Sequence, residues 1–268
     1  MLANFRLWRD SDRAYGALIA ADLAGAVAKR LSMFVLRSKV RIVDSSQDVA
    51  VIGVGGPRAG DVLQTGLGMS PRADAVIATD LPQATVVGLG DTRFAIVVDK
   101  ARAPAVQAAL ARVAAPADAA VWRWLSIAAG VPLVTAATSD QFVPQMLNWD
   151  AIGGISFQKG CYPGQEIVAR MRYLGRLKER LYRFEVSAER EPEPGTRIYG
   201  AAFGATPCGT VVNAAPAPQR GYAVLAVVQI DAMETGVLTL ETENGAPLSP
   251  VALPYPVMDA TAARKRLG

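Results

Sequence analysis

The pattern of apolar residues changes character once along this chain, close to Leu174-Gly175, and that change sets the fold class. Beyond it, apolar residues gather in short runs, Arg180 to Val186, Thr210 to Val212, Tyr222 to Ile230 and Gly236 to Leu240. Turn-rich Glu191-Pro192-Glu193-Pro194-Gly195 and Ala215-Pro216-Ala217-Pro218 separate them. Short strands punctuated by proline and glycine build an all-β barrel or sandwich. Before the change, strands read at Asn4 to Arg9, Ala14 to Ala20, Val40 to Val43, Val49 to Val54, Thr85 to Leu89 and Phe94 to Val98. Helices read between them: one capped by Asp22 with Leu23, Val27, Leu31 and Phe34 on its apolar face, then Pro57 to Gln64, Pro104 to Ala114 and Ala117 to Ala129. The expectation is an α+β chain, with ferredoxin-like β-α-β units over residues 1–172 and a C-terminal β-barrel over residues 173–268.

Chemistry concentrates in Lys159-Gly160-Cys161-Tyr162-Pro163-Gly164-Gln165-Glu166. Pro163 suits a first helical position, and Gln165 to Met171 are good helix formers, so Cys161 precedes a helix by about two residues. Unpaired N–H groups and the positive end of the helix dipole, with Lys159 beside them, favour a thiolate there. An exposed thiolate would be nucleophilic, metal-binding or redox-active. The competing reading is a small cysteine buried in a glycine-framed turn.

The sequence contains 0 histidines and 2 cysteines. Without histidine, Cys-His and Ser-His-Asp nucleophile systems cannot be built, and two cysteines cannot complete a four-ligand zinc site. Cys208 reads as an apolar filler on a strand, and low cysteine usage suggests a reducing compartment. Apolar runs such as Ala223 to Val228 fall far short of the roughly 18 residues a membrane span needs. No basic region followed by an apolar core opens the chain, so the expectation is a cytoplasmic protein with no membrane contact.

The net charge of +4 is locally concentrated: Arg170, Arg172, Arg176, Lys178, Arg180 and Arg183 face one acid, Glu179, with Tyr173 and Tyr182 interleaved. Such a segment attracts phosphate backbones; equally, it reads as a solvated helix end and strand. Gly53-Val54-Gly55-Gly56-Pro57-Arg58 imitates a dinucleotide fingerprint, but Arg58 occupies the third glycine's place, so it reads as a strand-to-helix turn.

The octapeptide resembles the K-G-C-Y-x-G-Q-E signature of the YgfZ-type folate-binding proteins, relatives of the glycine cleavage T-protein. Phe142-Val143-Pro144-Gln145, Gly153-Gly154-Ile155-Ser156-Phe157 and Leu253-Pro254-Tyr255 extend the resemblance. It implies a tetrahydrofolate-binding accessory protein that supports iron-sulfur cluster assembly or repair and thereby tRNA modification, with iron-sulfur enzymes or assembly factors as partners. It further implies Lys159 and Cys161 as the reactive pair, Trp122 as a folate-stacking side chain, and Gln165 and Glu166 as cofactor-binding positions. Met1 aligns inside that family's first folded region, so a leading segment with another folate-contacting tryptophan is expected to have no counterpart here. A folate-dependent aminomethyltransferase is the alternative, and direct tRNA binding through Arg170 to Arg183 is a third class.

Overall fold

In the computed structural model, the described residues are 1–70, 76–79, 84–162, 164–166, 168–169 and 177–257. Contacts divide the chain into two compact units, Phe5–Leu125 and a second formed by Met1–Asn4 with Ser126–Gly268. The boundary expected at 172/173 lies outside the described residues.

The Phe5–Leu125 unit contains β1 (Phe5–Arg9), β2 (Tyr15–Ile19), α1 (Ala21–Ser32), β3 (Val49–Gly55), α2 (Ala59–Leu67), β4 (Val76–Thr79), β5 (Ala84–Gly88), β6 (Arg93–Asp99) and α3 (Ala103–Ala111). It also holds most of α4 (Ala119–Ala128). Strands β3, β6, β5 and β4 form an antiparallel sheet in that order. Side chains alternate between its faces. Val86, Phe94, Ile96 and Val98 pack with Leu63 of α2 and Val106 and Leu110 of α3. Val87 and Ala95 pack with Trp8 of the β1–β2 hairpin.

Two glycines of β3 admit α4. A Cβ on Gly53 would stand 2.4 Å from Trp122 Cε3, and one on Gly55 would stand 2.4 Å from Leu125 Cδ1. Residues 53 and 55 share a strand face, and residues 122 and 125 are one helical turn apart, so the bare strand backbone is a seat for the helix. Gly53 and Gly55 therefore serve close packing, a role the sequence reading did not include, whereas Gly56, at φ 120°, supplies the unusual backbone angle expected of the strand-to-helix turn.

Three sequence expectations fail in this unit. Asp22 is not the N-cap of α1: Ala20 occupies that position, and Asp22 lies in the first turn, where an acid favours the helix dipole. Leu31 and Phe34 are exposed, and α1 buries only Leu23. Val40 to Val43 form no strand, and Val40 and Val43 are exposed. A β-branched run becomes a strand only where a second backbone pairs with it, and no described residue does so here.

The other unit carries the barrel. Strands β7 (Glu179–Val186), β8 (Arg197–Gly200), β9 (Gly209–Pro216), β10 (Tyr222–Gln229), β11 (Leu238–Leu240) and β12 (Pro247–Val251) close in the order β10-β7-β12-β11-β8-β9. Phe184, Ile198, Val211, Val224, Val228, Leu238, Leu240 and Leu248 form its core. Each fully buried side chain of this size contributes roughly 1.5–3 kcal/mol. Strand β10 is buried on both faces from Ala223 to Val228, which accounts for its unbroken apolar run.

Candidate functional site

The signature segment begins as an extended loop and ends as a helix: Lys159 to Tyr162 are irregular, and Gln165, Glu166, Val168 and Ala169 are helical. Gln165 Oε1 accepts a hydrogen bond from the Tyr162 backbone N–H at 3.1 Å, and the Gln165 N–H donates to the Tyr162 carbonyl at 3.2 Å. A glutamine reaching back three residues to an otherwise orphaned N–H is one half of a capping box. Gln165 thus fixes the turn that carries Cys161. Cys161 is exposed, as are Lys159 and Glu166. The Lys159 ammonium stands 4.2 Å above the Tyr162 ring centroid, a cation–π contact that folds the lysine over the same turn. An outward-facing thiol on a braced turn can meet a soluble or macromolecular reagent.

Cys208 has the opposite environment. It lies in the barrel core at 1% exposure, and burial pushes its thiol above the ordinary value. Both cysteines are free, so no disulfide links them. Among the described residues, no group of histidine, cysteine, aspartate or glutamate side chains could hold a metal ion.

Sequence reasoning missed a buried polar node beside the signature. Both guanidinium ends of Arg180 bind Asp150, at 2.8 Å to Oδ1 and 3.0 Å to Oδ2. Arg180 Nη1 also donates to the Gln145 carbonyl at 3.0 Å and to Asn148 Oδ1 at 3.2 Å. Asn148 Nδ2 donates to the Leu181 carbonyl at 2.9 Å, and Gln145 Nε2 donates to the Val168 carbonyl at 2.7 Å. The node joins the 3-10 turn Pro144–Leu147 to the start of β7 and to the signature helix. Its only sequence signal was Phe142-Val143-Pro144-Gln145, since Arg180 was hidden inside a basic run.

That run is divided. Arg180 is buried against Asp150, Arg183 Nη1 donates to the Ala128 carbonyl at 2.9 Å, and Lys178 is exposed. Arg170, Arg172 and Arg176 lie outside the described residues. Trp122 belongs to the Phe5–Leu125 unit, half-buried on Gly53, whereas Lys159, Cys161, Gln165 and Glu166 belong to the other.

Tyr255 closes the node's far side. Its hydroxyl donates to the Gly130 carbonyl at 2.6 Å; burial raises its phenol above the ordinary value, opposed by a hydrogen bond with Asn148 and the charge of Arg180. A folded phenol that holds its proton more tightly than the unfolded one gives stability that is complete below the ordinary value of 10.0. That stability is lost as pH rises through the raised folded value. Tyr255→Phe is therefore expected to flatten the alkaline fall of unfolding free energy. At neutral pH it should cost about 1 kcal/mol through the lost hydrogen bond. Superimposable alkaline limbs for parent and variant in urea unfolding would show the phenol contributes no such dependence.

A closed six-stranded barrel and an α/β sheet carried on one chain are the elements of an aminomethyltransferase-type fold. The aminomethyltransferase T of the glycine cleavage system from Bartonella henselae has the same fold, with a TM-score of 0.71 over 95% of this chain and 72% of that one, at 17% identity. At the sequence level, the tRNA-modifying protein YgfZ of Enterobacter sp. (strain 638) is 34% identical over 259 residues, 95% of this chain and 78% of that protein. Its counterpart in Klebsiella pneumoniae (strain 342) is 32% identical over 97% of this chain and 79% of its own length. No protein-family model matches the chain. The chain belongs to the YgfZ family.

No described helix is long and apolar enough to cross a membrane.

Proposed function

We propose that this chain is a tetrahydrofolate-binding accessory protein of the cytoplasm that supports iron-sulfur cluster assembly or repair and, through cluster-containing enzymes, tRNA modification. The observation that carries the reading is the exposure of Cys161 on a turn braced by Gln165 and covered by Lys159. The relatives' designation as tRNA-modifying proteins and the fold shared with an aminomethyltransferase support it from outside the site.

The residues present fit a folate at Trp122. Its six-membered ring lies against Gly53, yet the side chain is only half-buried, leaving apolar surface on which a pterin can stack. Bound folate supplies a flat aromatic ring and a carrier for one-carbon units. Trp122 would orient that ring; on the other unit, Cys161 provides a nucleophilic sulfur with the positive charge of Lys159 on the same turn.

The test is genetic and chemical. In a bacterial strain lacking its own YgfZ protein, Cys161→Ser is expected to lower the methylthiolated nucleoside content of tRNA, read by mass spectrometry, at least about tenfold relative to the parent chain. Full restoration by Cys161→Ser would remove the thiol from the function. A tryptophan-fluorescence titration with tetrahydrofolate should lose most of its quenching in Trp122→Ala; an undiminished response would remove Trp122 from the folate site.

A further inference from the structure

We propose that Gln145 is the positioning residue of the cysteine-bearing turn, transmitting the rigidity of the Arg180–Asp150 node to Cys161; this rests on reading Cys161 as the functional thiol. Gln145 is 4% exposed and sits in a one-turn 3-10 segment whose own carbonyl is held by Arg180. Its Nε2 crosses to the Val168 carbonyl of the signature helix, 23 residues further along the chain. The need to donate to a carbonyl fixes which end of the amide is nitrogen.

From Val168 the hydrogen bonds run back toward the thiol. The Val168 N–H donates to Gly164 at 3.5 Å, and Gln165 and Tyr162 exchange the two bonds of the cap. Tyr162 is the residue next to Cys161. One continuous ladder therefore runs from barrel strand β7, through Arg180 and Gln145, to the neighbour of the sulfur.

The other end of the same amide argues that packing alone does not explain it. Gln145 Oε1 is buried and has no partner among the described residues. An unpaired buried acceptor is destabilising, a penalty that leucine would avoid in the same space. The Nε2–Val168 bond is the polar work this side chain does.

The experiment uses the full chain and reads alkylation of each cysteine by iodoacetamide with site-resolved mass spectrometry, from mildly acidic to mildly alkaline solution. Gln145→Leu is expected to slow Cys161 alkylation about fivefold or more while Cys208 stays protected, showing that the barrel is intact. Gln145→Glu is expected to match the parent where its carboxyl is protonated, since the acid O–H can donate to the Val168 carbonyl, and to behave like leucine once ionised. Rates within about twofold of the parent for both variants at every pH, with Cys208 protected, overturn the proposal. Should leucine expose Cys208, Gln145→Glu decides alone, and a Cys161 rate that does not switch with pH relative to the parent overturns it. Complementation by Cys161→Ser would sink the functional reading while leaving this alkylation result intact, so the two failures are separable.

Discussion

Asp150→Ala is expected to lower the unfolding free energy by about 3–5 kcal/mol, the range observed when one member of a buried ion pair is removed. The physical reason is the charge left behind. Arg180 is 7% exposed, and two of its hydrogen bonds end on the Asp150 carboxylate. The Gln145 carbonyl and Asn148 Oδ1, which also accept from it, are neutral. Without Asp150 the guanidinium loses the carboxylate that accepts two of its hydrogen bonds, and either stays desolvated at that end or draws water into the space between the 3-10 turn and β7. Urea unfolding measures the loss, and a value under about 1 kcal/mol, typical of exposed pairs, would show that the node is solvated. The double variant Asp150→Leu with Arg180→Met should recover much of the loss, because the pair's cost is desolvation and both charges are then gone. The recovered protein should nevertheless keep the defect in Cys161 presentation, since the anchor of Gln145 is absent.

Gly53→Ala should cost about 1–3 kcal/mol by overpacking, although it adds a single methyl group. That methyl would meet the Trp122 ring at 2.4 Å, so either β3 or α4 must shift. Displacement of the indole should also change tryptophan emission and weaken the folate response assigned to Trp122. Gly25→Ala supplies the contrast: Gly25 lies inside α1 with open space around its added Cβ. There alanine is expected to stabilise by about 0.5–1 kcal/mol through helix propensity. Equal effects at the two glycines in thermal unfolding would contradict the seat described for α4.

The elements read most easily from sequence were those whose pattern and burial agree. Strands β7, β9, β10 and β11 follow runs that are apolar because the barrel encloses them, and β5 and β6 follow runs enclosed by two helices and a hairpin. Short strands were missed for a local reason. Strand β12 contains Pro247 and Pro250, which argue against a strand unless pairing geometry tolerates them, and β8 has only four residues. The opposite error occurred at Val40 to Val43, where strand propensity met no partner backbone. Within the candidate site, Cys161 and its helix were legible because capping is local in sequence. The Arg180–Asp150 pair was not, since its members are 30 residues apart and Arg180 looks like any other base in its run.

Met1–Asn4 pack with a unit whose remaining residues start at Ser126. Asn4 Oδ1 accepts from the Val134 N–H at 2.7 Å, and Leu2 and Met1 bond to Ser139 and Phe142. These contacts span 130 to 141 residues of sequence, so each closes a long loop and can form only after Val134 to Phe142 have been made, which puts them among the slow, late steps of folding.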